Sequence, residues 1–340
     1  MFETNHVKRQ WLPQLAWLFA SIALGSAASC RDHRVMIAAI PRTTATPIWE
    51  AEHLGIDVVA RDSNVQIYWN APTREDDVEG QIALIARVMG RHYDGLILAP
   101  DNAIALQASV RQVLKRGTPV VVVGSPLLLS GSNNLCYLLN DEETGGRLAA
   151  QRLALILHGR GTVAILGINP DVIGIIDRTR AVVSDLKKES PYIHIIEERE
   201  GTLDEDHERQ IAIDFLNQHK DVDAIIALSS STTHGLLEAI KERGVVTSKV
   251  KIVAFNRDDD DRFLFDSPSI DSIVMEDNEQ MGAEATRQIL GKLQGQMMCS
   301  TRYFKPVLVT RDNLLEQMGL LHSMIENIPP ADRSGWMVSP

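Results

Sequence analysis

From residue 34 to residue 310, short runs of β-branched and apolar residues alternate with amphipathic stretches of helical length, and after Asn140-Asp141 the alternation starts again. The first series places strands at 35–40, 65–69, 95–99 and 119–123, with helices at 48–60, 75–89 and 103–116 between them. The second places helices at 144–157, 178–189, 206–219 and 232–243 against strands at 162–166, 193–197, 224–228 and 251–255. A strand at 272–275, a helix at 278–293 and a strand at 307–310 complete the pattern. Strands joined through helices of ~10–15 residues lie parallel, and a parallel sheet needs both faces covered. Two series with one rhythm predict two doubly wound α/β lobes rather than one oversized sheet. Gly90, Gly117, Gly159 and Gly244 follow apolar-periodic segments, where helix stops belong.

Sheets of this kind place ligand sites beyond the carboxyl ends of their strands, which singles out the stretch 161–196. A strand at 162–166 leads through a polar loop into a helix read as opening at Asp177-Arg178 and closing before Pro191. On the first turn of that helix the planar fork of Arg178 would reach whatever enters the crevice, with Asp177 as its cap. The plainer alternative is a pair of solvated first-turn charges, Arg178 and Arg180.

Composition narrows the partner. The chain has 340 residues, 44% of them hydrophobic, enough for two cores. A formal charge of −11 leaves no basic footprint for phosphates, which disfavours nucleic acid and favours a small uncharged molecule or another protein. The three cysteines, Cys30, Cys136 and Cys299, form no CxxC and no metal-ligand spacing, which argues against a zinc site and against a disulfide framework. A Cys136–Cys299 bridge stays open, with nothing in the sequence to support it.

Residues 1–29 read as an export signal: Lys8 and Arg9, an apolar stretch at 11–24, then small residues at 25–29. The stretch is too short for a permanent span. Cys30 follows three small residues, as at the acylated cysteine of bacterial lipoproteins, although Ala27 stands where leucine is usual. Lipidation at Cys30 and plain secretion both remain open.

The segments YDGLILAP at 93–100, NDEETGGR at 140–147, RTRAVVSDLKKESPYI at 178–193 and VAFN at 253–256, in this order, resemble the periplasmic sugar-binding proteins of the ribose/galactose type, whose ligand domain is shared with LacI-type repressors. The likeness covers about 34–310. It implies the type I periplasmic binding protein fold, with chain crossings near Asn140, Glu276 and Tyr303. The N-terminal lobe would hold 34–139 plus 277–303, the C-terminal lobe 140–276 plus 304–310, and 311–340 a helix and tail.

The resemblance also implies ligand contacts at the strand exits. Thr46 and Trp49 follow the first strand, with Ile48 departing from the family's aromatic. Asp101 follows the third. Gly124-Ser125 replaces an acid–base pair after the fourth, so the usual monosaccharide does not carry over. Arg178 follows in the second lobe, then Ser229, where many relatives have Asn, Asn256, often Asp, and Glu276, in place of a hinge-side Gln.

Each contact has a plainer reading. Trp49 suits a core aromatic as well as a stacking platform. Ser229 and the hydroxyls after it suit a helix cap as well as a polyol cradle. Asp101 suits a cap, and the charges at 257–261 a solvated loop rather than a cation site.

Enzyme signatures are missing: there is no G-x-S-x-G, no phosphate loop, no G-x-G-x-x-G after the first strand and no H-E-x-x-H. The expectation is an exported solute-binding protein, without cofactor or metal, that closes around a small sugar or polyol and presents it to an ABC-type importer. It would touch no nucleic acid, and the membrane only through an anchor at Cys30. A sensory receptor of the same fold and an exported two-lobed enzyme are the alternatives. A DNA-binding regulator is opposed by the signal that stands where a head domain would.

Overall fold

A computed structural model of the chain describes residues 34–44, 48–242, 250–255 and 267–314. Residues 1–29, Cys30, Thr46, Gly244, Asn256, the charge run at 257–261 and the tail beyond residue 314 lie outside the described residues. Among the described residues no helix is long and apolar enough to cross a membrane.

Two six-stranded sheets carry the chain. In the first, β1 (Met36–Ile40) pairs in parallel with β2 (Gln66–Trp69) and β3 (Gly95–Leu98), and the sheet continues through β4 (Val120–Gly124), β5 (Leu135–Asn140) and β11 (Thr301–Phe304). Helices α1 (Ile48–Asp62), α2 (Val78–Met89), α3 (Gln107–Lys115) and α8 (Asn278–Leu293) belong to this lobe. In the second, β7 (Tyr192–Glu200), β6 (Arg160–Ile168), β8 (Ala224–Ala227), β9 (Lys251–Phe255) and β10 (Ile270–Met275) run parallel, and β12 (Val307–Thr310) closes the edge antiparallel to β10. Its helices are α4 (Glu142–Ile156), α5 (Ile173–Glu189), α6 (Glu205–Gln218) and α7 (Ser230–Glu242).

The inner strands are apolar throughout because both faces are covered: Val120 to Val123, like Ala224 to Ala227, are fully buried. Edge strand β7 alternates instead, with Glu198 and Glu200 among its polar positions, and charge on an edge discourages pairing with other chains. The chain passes between lobes after β5, after β10 and between β11 and β12, so this is the two-lobed type I periplasmic binding protein fold with a three-stranded hinge.

Three details depart from the sequence reading. Strands β5 and β11 depart from the sequence reading: Leu135–Asn140 contains no β-branched residue, and Thr301–Phe304, though it holds the strand formers Thr301, Tyr303 and Phe304, is too short and too exposed to form an apolar run. Helix α5 opens at Ile173, not at Asp177. Its first turn contains Gly174, a poor helix former, and is held by a bond across the lobes rather than by a local cap. Asp177 therefore caps nothing and pairs with Arg180 on the exposed face. Finally, Cys136 and Cys299 are joined in a disulfide that ties β5 to the segment entering β11.

One glycine sets the site's geometry. A Cβ on Gly146 would lie 2.5 Å from the Arg178 carbonyl oxygen, so only glycine lets α4 and α5 approach closely enough to put Glu142 beside Arg178.

Candidate functional site

The carboxyl ends of the two sheets face a cleft. Its walls include Arg42 after β1, Trp49 and Glu52 on α1, Ser125 after β4, Asn140 at the end of β5, Glu142 at the start of α4, Arg178 on α5, Ser229 to Ser231 after β8, and Glu276 after β10. The enclosed volume is ≈ 50 Å³, room for a few waters at ~10–15 Å³ each. The lobes are closed on each other. Ala103 N–H donates to the Asp171 carbonyl at 3.0 Å, Gly174 N–H donates to Ser125 Oγ at 3.0 Å, and Arg74 approaches Asp204 at 3.8 Å. A larger groove, ≈ 730 Å³, runs along the hinge past Tyr303, Arg147 and Lys188, away from most of the strand exits.

Arg178 is the centre of the cleft and is only 3% exposed. Its Nε donates to Glu142 Oε2 at 2.7 Å, one terminal nitrogen to the Leu228 carbonyl at 2.6 Å, and the other to Glu276 Oε1. The Phe255 ring lies 4.2 Å from the guanidinium carbon, a cation–π contact. Burial works against the charge, but Glu142 and Glu276 outweigh it and hold the guanidinium above its usual value. Burial pushes Glu276 up to about 7, against Arg178, and raises Glu142 as well. The solvated-charge alternative thus holds for Arg180 but not for Arg178.

The other expected residues take different roles. Trp49 is buried against the cleft, with Nε1 donating to Glu75 Oε1 at 2.8 Å and the Arg42 guanidinium 5.5 Å from its ring. Ser125 Oγ accepts the bond across the lobes. Ser229 Oγ accepts from Thr232 N–H at 3.1 Å, a helix cap that spends its oxygen locally even though the residue lines the cleft. Asp101 caps no helix. It is 4% exposed and, among the described residues, both carboxyl oxygens lack a hydrogen-bond partner. Gln81 supports it from α2, accepting from Asp101 N–H while donating to the Pro41 and Ala99 carbonyls.

Sequence reasoning did not single out Arg42, Glu52, Glu75, Asn140 or Glu142 as site residues. Glu52 had a signal: it sits three residues beyond Trp49, on the same helix face. The others depend on contacts distant in sequence.

Two further buried carboxyls, Asp101 and Glu52, are raised as well. Burial pushes Asp101 up to about 9, against Arg42 and with help from Glu75, Asp76 and Asp77, and pushes Glu52 up to about 8, against Arg42. A carboxyl raised on folding favours the fold below its unfolded pKa, and that contribution disappears as pH rises through the folded value. Stability should therefore fall from pH 5 to pH 9. Asp101→Asn is expected to recover at least ~1.4 kcal/mol at pH 8 in urea unfolding and to flatten the profile. An unchanged difference between pH 5 and pH 8 would refute the burial penalty at Asp101.

Comparison with known proteins agrees with this architecture. A family model described as the periplasmic binding protein domain matches residues 37–297. The D-allose-binding periplasmic protein of Escherichia coli (strain K12) is 21% identical over 253 residues, 72% of this chain and 80% of the relative. The carbohydrate transporter solute binding protein of Agrobacterium radiobacter, solved in complex with D-arabinose, superposes with a TM-score of 0.77 at 22% identity, covering 84% of this chain and 97% of that one. An ABC transporter solute binding protein of Agrobacterium vitis, bound with α-D-tagatopyranose, gives 0.77 at 19% identity, with 84% and 97% covered. With two lobes, a cleft at the strand exits and a family match over most of its length, this chain belongs to the periplasmic binding protein domain family.

Proposed function

We propose that this protein is an exported solute-binding protein whose lobes, 34–139 plus 277–303 and 140–276 plus 304–310, close around a small sugar or polyol and present it to an ABC-type importer. The observation that carries this reading is the cleft itself: a buried tryptophan, two arginines and several buried acids converge where the lobes meet. Indole faces pack on the C–H faces of pyranoses, and charged groups bond their hydroxyls more strongly than neutral ones do. The relatives named above support it by what they bind. In this reading the protein binds rather than catalyses, and Cys30, once acylated, tethers it to the envelope.

Ligand bonds from both lobes stabilise the closed form over the open one, and the membrane partner reads that shift. Calorimetric titration of the purified chain with aldopentoses, aldohexoses and polyols tests the proposal. Saturable binding is expected for at least one, and no binding by any of them would overturn the sugar assignment.

The contacts between lobes allow a second check. Ser125→Ala removes the acceptor for Gly174 N–H and should destabilise the closed form by ~0.5–1.5 kcal/mol. Affinity should drop by about two- to tenfold, and the radius of gyration of the free protein in X-ray scattering should increase. Unchanged affinity and radius would remove Ser125 from the closing mechanism.

A further inference from the structure

The second lobe's side of the cleft contains a strained turn. Residues 201–204 join β7 to α6, and Leu203, 4% exposed, lines the cleft with Val172 and Ile175 as the apolar part of that wall. Its φ is 67°, a left-handed backbone that leucine rarely adopts and that persists only where the surroundings impose it. Glu208, on the first turn of α6 and 1% exposed, imposes it: Oε1 accepts from Thr202 N–H at 2.7 Å and from Leu203 N–H at 3.1 Å. Packing closes around that carboxyl. A Cβ on Gly201 would lie 2.2 Å from the same Oε1, and a Cβ on Gly235 of α7 would lie 2.7 Å from the Glu208 carbonyl carbon, so glycine lets the turn and α7 approach Glu208.

The turn also reaches the other lobe. Asp204 caps α6 by accepting from His207 N–H at 3.1 Å and lies 3.8 Å from Arg74 of the first lobe. Glu208 is not one of the residues that line the cleft. Building on the sugar-binding reading, we infer that Glu208 is nonetheless a positioning residue for ligand binding: it fixes the turn so that Leu203 completes the apolar wall and Asp204 stands at the lobe boundary. Its effect on the ligand passes through Leu203, because the contact between Asp204 and the exposed Arg74 is worth little in water.

Peptide-resolved hydrogen exchange on the full purified chain, with calorimetry using D-allose, D-ribose, D-arabinose and D-tagatose, tests the inference. In wild type the Thr202 and Leu203 amides should be protected, since both donate to a buried oxygen. Glu208→Ala should remove that protection and weaken the tightest of the four sugars by about tenfold. Glu208→Gln, whose amide oxygen can still accept both bonds, should stay within about threefold of wild type. A residue that only stabilises the lobe would behave alike in every background, whereas with Leu203→Ala in place Glu208→Ala should cost less than about threefold further, because the side chain it positions is gone. A tenfold loss in both backgrounds, or a folded glutamine variant no better than alanine, overturns the inference while the sugar reading stands. Unprotected amides at 202 and 203 in wild type overturn it as well, and that measurement holds even if Glu208→Ala does not fold. If none of the sugars binds, the sugar reading fails and takes the ligand role of Glu208 with it.

Discussion

Arg178→Ala is expected to lower the unfolding free energy by ~3–5 kcal/mol at pH 7, the cost of removing one partner from a buried ion pair. The guanidinium uses three of its five N–H donors on Glu142, the Leu228 carbonyl and Glu276. Alanine would leave two buried carboxylates facing each other and a carbonyl without its donor. The carboxyls would then protonate, so the loss should be larger at pH 8 than at pH 5. Two N–H donors remain for a ligand, so the variant should also bind at least ~1.5 kcal/mol more weakly than wild type. Arg178→Lys keeps the charge without the fork and should fall between the two. Urea unfolding at the two pH values and calorimetric titration measure both effects. Wild-type stability in the alanine variant would contradict the buried network, and wild-type affinity would reduce Arg178 to a structural role.

Replacing both Cys136 and Cys299 with serine should cost ~2–5 kcal/mol. The bridge joins residues 163 apart in sequence, and a closed loop of that length removes more freedom from the unfolded chain than a short one. Within that loop lies the passage to the second lobe and back, so the bond fixes where the chain returns to the first sheet beside β5. Thermal unfolding of oxidised protein, reduced protein and the double variant should give one high midpoint and two lower, similar ones. Identical midpoints in all three would mean that the bond contributes nothing to stability. This tie could not be read from cysteine spacing: three cysteines with no CxxC offer no pairing rule, and only the juxtaposition of β5 with the strand returning through the hinge makes a pair of Cys136 and Cys299.

The larger architecture was legible because it rests on local signals. Runs such as Val120 to Val123 and Ala224 to Ala227 are apolar at every position, and the helices between them repeat at helical spacing, so two wound sheets follow from periodicity and burial. The strands that failed to show, β5 and β11, lack one or other of those signals.

At the site, the sequence put Arg178 at a strand exit through its own residues and Trp49 there through the family resemblance, and both line the cleft. It could not supply their partners. Glu142 lies 36 residues before Arg178, Glu276 lies 98 after it, and Ser125 meets Gly174 from the opposite lobe. The sequence alone determined a two-lobed α/β protein with an arginine at a strand exit, since secondary structure and core follow from neighbours along the chain. The tertiary structure alone decided that this arginine is buried between two acids and that Ser125 is a clasp between lobes. It also decided that, among the described residues, Asp101 and Asn140 present unmet acceptors, because the pairing of buried polar groups depends on which distant segments the fold brings within hydrogen-bond reach.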